Sequence, residues 1–164
     1  MEKIRLLVAE DETIIRMALV KLLEVYPNLF VVGDAKNGSE LIEKYIEIKP
    51  DVVLCDISMP LINGWEASTK ILGQNRSAKI ILLTMHNEEE YLNRAIRIGI
   101  AGYVTKFLSE GELRYAIQTV FEGGKYYMGK TDKEIEEIKL IATELMIIMN
   151  CLKDFRFIHI WLFH

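Results

Sequence analysis

The feature that most constrains this chain is a strict alternation of short apolar runs with segments of helical spacing. The runs occupy residues 4–9, 29–32, 52–55, 80–83 and 102–105. They are largely continuous rather than alternating, which is how strands covered on both faces by helices read. Between them, Ile15, Ala18, Leu19, Leu22 and Leu23 form one helical face that stops before Pro27. A second helix starts near Ser39, sets Leu41, Ile42, Tyr45 and Ile46 together and ends before Pro50. The third and fourth span about residues 64–73 and 88–99. The fifth carries Leu113, Ala116, Ile117 and Val120 and stops at Gly123-Gly124. Such alternation predicts an α/β fold: (βα)5, a doubly wound parallel five-stranded sheet with right-handed crossovers.

Composition supports one packed core. With 51% hydrophobic and 27% charged residues in 164, the chain lies outside the range of disordered sequences. A formal net charge of -4 gives no general attraction to nucleic acid. Cys55 and Cys151 lie too far apart in sequence and context to suggest a disulfide framework, so two reduced thiols in a cytoplasmic protein are expected. The start, MEKIRLLVAEDE, has an apolar stretch too short for a signal peptide. No apolar run approaches the ~20 residues of a membrane-spanning helix.

The polar residues at the strand ends are the informative ones, because ligands of open parallel sheets bind beyond the carboxyl ends of the strands. The first strand ends in Glu10-Asp11, the third in Asp56, the fourth in Thr84 and the fifth in Lys106. Any one of these alone reads as a helix cap or a solvated charge. Together they deliver three carboxylates, a hydroxyl and an ammonium to one edge. Carboxylates so gathered repel one another unless a cation bridges them, and Mg²⁺, which accepts a few carboxylates and keeps its waters, suits oxygen ligands. A carboxylate nucleophile beside a metal and a Lys is the constellation for phosphoryl transfer to a side chain.

With LLVAED at 6–11, DISMPLINGWE at 56–66, LLTM at 82–85 and GYVTK at 102–106, residues 3–128 resemble the receiver (CheY-like, flavodoxin-like) domain of two-component response regulators. The spacing of Met59-Pro60 and Gly64 after Asp56 is especially specific. RAIRIGIAGYVTK at 94–106 and ELRYAIQTVFEGGKYY at 112–127 resemble the NarL/LuxR-type subgroup. The resemblance implies that Asp56 accepts a phosphoryl group from a phosphohistidine on a sensor histidine kinase. It implies Mg²⁺ held by Asp11, by Asp56, by Glu10 mainly through water, and by the backbone carbonyl of Ser58. Lys106 and Thr84 would contact the phosphate. Thr84 would swing toward it and Tyr103 would move inward, reshaping the face made by the fourth helix, fifth strand and fifth helix. Such a protein catalyses only its own phosphorylation and dephosphorylation, with regulation of transcription as the expected output.

There are departures from the pattern. Lys106 precedes Phe107 where many receivers have Pro, so no cis bond is expected there. Met85 stands where a small residue is usual, and a long side chain there is expected to narrow the approach to the site. Enzymes on similar sheets fit less well. Haloacid-dehalogenase-like phosphatases want a second Asp where Ser58 stands, and nucleotide binders want a Gly-rich loop where the first strand ends in acids. Cys55 is expected to pack in the central third strand, Trp65 beside the loop that follows it, and His86 to lie in an exposed loop. Cys151, His159 and His164 fit no zinc spacing.

The reading therefore divides the chain into a receiver domain at 1–128 and a linker and tail at 129–164. No helix-turn-helix or basic cluster is recognisable in residues 131–164, so DNA binding is left open. Ile135, Ile138, Ala142, Leu145, Met149 and Leu152 recur at spacings of three and four in a helix expected at about 133–152. That seam is compatible with a homodimer or with packing on the chain's own receiver. The alternative function is a stand-alone receiver that acts by dimerisation or protein docking without binding DNA. The apolar end, FRFIHIWLFH, has strand character and is compatible with a shortened or frame-altered regulator.

Overall fold

A computed structural model describes residues 2–85 and 89–128, Lys130, and residues 135–136, 140–141, 143–145 and 147–148. His86, Cys151, His159 and His164 lie outside the described residues. The chain divides into two compact units, Met1–Gly129 and Lys130–His164.

In the first unit the elements run β1 (Ile4–Ala9), α1 (Thr13–Glu24), β2 (Leu29–Ala35), α2 (Gly38–Ile48), β3 (Val52–Asp56) and α3 (Gly64–Gln74). They continue with β4 (Ile80–Thr84), α4 (Glu89–Ile98), β5 (Gly102–Thr105), α5 (Glu110–Phe121) and β6 (Tyr126–Tyr127). All pairings are parallel, in the order β2-β1-β3-β4-β5-β6. Every residue of β3 and β4 is buried, which explains their continuous apolar runs. One core layer joins Leu6, Val8, Leu54, Ile81 and Val104 to Leu23 of α1 and to Leu113, Ala116, Ile117 and Val120 of α5.

The order of the sheet places β1 beside β3 and starts the chain near the middle, so that the crossovers reverse direction between these strands. That reversal opens the crevice at the carboxyl edge in which doubly wound folds bind ligands. Helix ends are defined by local chemistry. Asn37 accepts from the Glu40 N–H at the start of α2, and Asn63 from the Glu66 N–H at the start of α3. Ser109 and Glu112 form a reciprocal capping box on α5.

Three details differ from the sequence reading. The sheet has a sixth strand, β6, where five were expected. Tyr126 N–H donates to Ala101 O at 3.0 Å and Met128 N–H to Tyr103 O at 3.1 Å, along the edge of β5. Two residues are too few to carry a strand pattern; the open edge of β5 supplies the order. β2 runs past residue 32 to Ala35, because an irregularity in its pairing between Leu6 and Leu7 admits an extra residue and the ladder then resumes. In α1 only Leu23 is buried, with Leu19 and Leu22 packed against the core, while Ile15 and Ala18 are exposed. The first turn of this helix begins at the edge of the sheet, and only its later turns reach the core cluster. No cis peptide occurs among the described residues, Lys106–Phe107 included.

Tyr127 anchors the added strand. It is 2% exposed and its hydroxyl donates to Ile100 O at 2.6 Å. Burial pushes its phenol up to about 12. Because the folded state holds this proton more tightly than the unfolded chain, stability is full below the ordinary phenol value of about 10 and falls as pH rises from there toward 12. Tyr127→Phe is expected to cost about 1 kcal/mol at neutral pH through the lost hydrogen bond. Urea titrations at a series of pH values should then show that deficit shrinking across the alkaline window, since the variant has no proton to lose.

Candidate phosphoacceptor and metal site

Four of the parallel strands, β1, β3, β4 and β5, each bring part of the site to the carboxyl edge. Asp56 is the last residue of β3 and is 3% exposed. Glu10 follows β1 at 1% exposure, and Asp11 beside it is exposed. One ligand oxygen from each of the three lies within 4.8 Å of the others. Lys106, just beyond β5, reaches into the same place: its Nζ is 2.7 Å from Glu10 Oε2 and 3.1 Å from Asp56 Oδ1. Thr84 ends β4 and is 2% exposed. Lys106 N–H donates to Thr84 O at 2.8 Å, which ties the two strand ends together.

The electrostatics follow from burial. Desolvation raises the Glu10 carboxyl above its usual range, and the negative charge of Asp56 adds to this, against the lowering effect of the Lys106 hydrogen bond. For Lys106 burial disfavours the charged form. The hydrogen bond to Glu10 and the charge and hydrogen bond of Asp56 together outweigh it, so its ammonium is held above the usual range. A half-buried ammonium between two buried carboxylates is a paired charge, the condition on which such groups persist in a protein interior.

The turn after Asp56 fixes the nucleophile. Ile57 N–H donates to Leu83 O at 3.1 Å, and Gly64 N–H returns to Ile57 O at 2.9 Å. A Cβ on Gly64 would stand 2.2 Å from Asp56 O, so only glycine lets α3 start this close to the strand. The start of α2 leans on the same turn: Gly38 N–H donates to Ile62 O at 2.9 Å. Ser58 lies in this turn and is exposed.

Comparison with known proteins agrees with this geometry. The model of the response regulator receiver domain matches residues 6–118. The chain belongs to the response regulator receiver family. This receiver is 39% identical over 123 residues to the response regulator GacA of Pseudomonas viridiflava, covering 75% of this chain and 58% of GacA. It is 32% identical over 146 residues to the transcriptional regulatory protein DegU of Brevibacillus brevis, covering 87% of this chain and 61% of DegU. The chain thus spans about three fifths of the length of these relatives. A LuxR-family two-component response regulator from Aurantimonas sp. SI85-9A1 superposes with a TM-score of 0.76 at 30% identity, over 85% of this chain and 99% of its own. A LuxR-family DNA-binding response regulator from Staphylococcus aureus gives 0.68 at 30%, over 72% of this chain and 98% of its own. The likeness to NarL/LuxR-type receivers is therefore seen in both sequence and structure.

The receiver's acidic group suits a divalent metal. Its three carboxylates against the single ammonium of Lys106 leave two formal negative charges, with hard oxygen donors only. Glu10, Asp11 and Asp56 would hold Mg²⁺, which when bound neutralises that excess and lets anionic phosphate approach. Among the described residues no other group of three His, Cys, Asp or Glu side chains gathers in this way.

Two residues that the sequence reading did not place in the site belong to its surroundings. Arg16, on α1, donates from Nη1 to Glu10 O at 2.7 Å and to Asp11 O at 3.3 Å. Its only signal in the sequence is a lone arginine between Ile15 and Met17, which reads as an ordinary surface charge. Trp65 does more than pack beside the third strand. At 4% exposure it stacks on Tyr103 (6.4 Å between centroids, 23°) and on Tyr91 (6.2 Å, 14°), with the Arg94 guanidinium 4.6 Å from its ring. Tyr103 itself is 1% exposed. Cys55 is buried, and burial raises its thiol far above the ordinary range, so it is inert packing as expected.

Mg²⁺ should raise the melting temperature of this receiver, because it binds the folded acid group and not the dispersed carboxylates. Each kcal/mol of binding corresponds to ~2–4 °C at this chain size. Scanning calorimetry with Mg²⁺ and with chelator should show that shift in the native chain and a much smaller one in Asp11→Asn.

Proposed function

We propose that this chain is a phosphorylation-controlled response regulator whose receiver accepts a phosphoryl group on Asp56 from a sensor histidine kinase in a Mg²⁺-dependent reaction. The observation that carries the reading is Asp56 Oδ1 at the end of β3, 3.1 Å from Lys106 Nζ and within the acid group. A carboxylate oxygen of Asp56 attacks the phosphorus of a phosphohistidine. The new O–P bond forms as the N–P bond breaks, and the imidazole nitrogen leaves with its electron pair. Lys106, held in the ammonium form, faces the incoming phosphoryl oxygens and offsets their charge. The Ser58 carbonyl would complete the protein ligands of the metal. Thr84 contributes a hydroxyl to the phosphate and couples it to Tyr103, whose ring is already buried at 1% exposure.

Tyr103 supplies a route from that chemistry to the surface. Its ring touches Trp65, and Trp65 touches Tyr91 and Arg94 of α4. A change at Thr84 and Tyr103 is therefore relayed to the α4–β5–α5 face, where partners read the state. Moving a two-state equilibrium substantially takes about 5 kcal/mol of differential interaction, within reach of several charge-assisted hydrogen bonds to a phosphate. We place this switch in the cytoplasm, in transcriptional regulation. No helix among the described residues is long and apolar enough to cross a membrane.

Incubation with acetyl phosphate and Mg²⁺ followed by intact mass should show a gain of one phosphoryl group. Asp56→Asn and chelator should each abolish it. Labelling that persists in Asp56→Asn would sink the assignment.

The second reading, a receiver that acts by dimerisation or protein docking without DNA binding, draws on the tail. The described residues between 135 and 148 are helical. Leu140, Ile141, Leu145, Ile147 and Ile148 each leave more than half their surface exposed. Exposed apolar side chains on a helix are what a second copy would cover. Light scattering should then give a dimer for the full chain and a monomer for residues 1–130; a DNA mobility shift by the full chain would turn the choice back to transcription by direct binding.

A further inference from the structure

The loop between β1 and α1 carries three consecutive acids, Glu10, Asp11 and Glu12, and has few anchors of its own. Glu10 N–H is held by Ala35 O at 3.0 Å, as the last bond alongside β2. Beyond it, α1 starts without a side-chain cap at Glu12 and without an acid in its first turn. The Glu12 N–H contact to Glu10 Oε1 is long, at 3.4 Å. The Lys106 ammonium, 2.7 Å from Glu10 Oε2 and 3.1 Å from Asp56 Oδ1, draws the Glu10 carboxylate toward Asp56, but neither of these contacts fixes the backbone from which Glu10 and Asp11 project.

Arg16 fixes that backbone. Its side chain is 14% exposed, which for a guanidinium requires partners. Nη1 donates to both acid-loop carbonyls, Glu10 O at 2.7 Å and Asp11 O at 3.3 Å. Nε donates to Asp34 Oδ2 at 2.8 Å, near the end of β2. The fork of a guanidinium is rigid and planar, so fixing one edge on Asp34 fixes where the other edge can hold the loop. The carbonyls of consecutive residues, once held, set the peptide planes from which both carboxylates project. The positive charge also offsets repulsion among three adjacent acids.

Resting on the site reading above, we infer that Arg16 is a positioning residue for metal binding. Anchored by Asp34, it holds the backbone of Glu10 and Asp11 so that their carboxylates converge with Asp56. Its contacts to the acid loop are to main-chain oxygens, so it acts through the metal ligands and touches neither metal nor phosphate.

The test measures Mg²⁺ affinity of the unphosphorylated chain by calorimetric titration, alongside phosphorylation by acetyl phosphate as a function of Mg²⁺. Arg16→Ala should weaken Mg²⁺ about tenfold, as loss of groups that orient ligands does. Its phosphorylation rate should recover at saturating Mg²⁺, with the chain still folded in chelator. Arg16→Lys, which offers a point charge in place of the fork, should fall between the two. Asp34→Asn should weaken Mg²⁺ severalfold and add nothing further in the Arg16→Ala background. Native Mg²⁺ affinity in Arg16→Ala overturns the inference, as does a phosphorylation defect that saturating Mg²⁺ does not rescue. If Arg16→Ala does not fold, Asp34→Asn decides: severalfold weakening supports the role and native affinity overturns it. A native chain that neither binds Mg²⁺ nor gains a phosphoryl group refutes the site reading itself, a result distinct from any change confined to the variants.

Discussion

Glu10 and Asp56 place two carboxylates in the protein interior, at 1% and 3% exposure, with the ammonium of Lys106 between them. Removing such groups from water is expensive, and the pairing offsets that cost without cancelling the negative charge of the cluster. Parallel strands make this arrangement feasible. Because β1, β3, β4 and β5 all run the same way, their last residues meet at one edge while helices cover both faces. The remaining excess of negative charge is what makes the edge a cation site and, once a cation is present, a phosphate site.

Around this centre the structure spends its tightest backbone contacts on holding the nucleophile still. Gly64 lets α3 begin against Asp56 O, and the Ile62 carbonyl receives Gly38 from the first turn of α2. Arg16 plays the same part for the first strand's acids, from a helix rather than from a turn. The opposite flank is built from stacked rings. Trp65, Tyr91 and Tyr103 join α3, α4 and β5 by broad aromatic faces, which can slide or exchange partners at lower cost than a hydrogen-bonded turn can. A rigid side holds the chemistry, and an aromatic side is suited to transmit it.

The sequence by itself determined the (βα)5 frame and the five residues that meet at its edge. Apolar runs covered on both faces are continuous, helices repeat near every third or fourth residue, and each site residue directly ends or follows a strand. Those are local signals, and Glu10, Asp11, Asp56, Thr84 and Lys106 carry them in the chain itself. Only the tertiary structure decided features whose partners are distant. Strand β6 exists because β5 offers an unpaired edge to two tyrosines. Trp65 is a link to α4 because the packing of α3 brings it between Tyr91 and Tyr103. Arg16 holds the acid loop because Asp34, eighteen residues away, fixes the other edge of its guanidinium. A residue type announces the chemistry it can do, whereas what it does it to depends on neighbours that folding alone supplies.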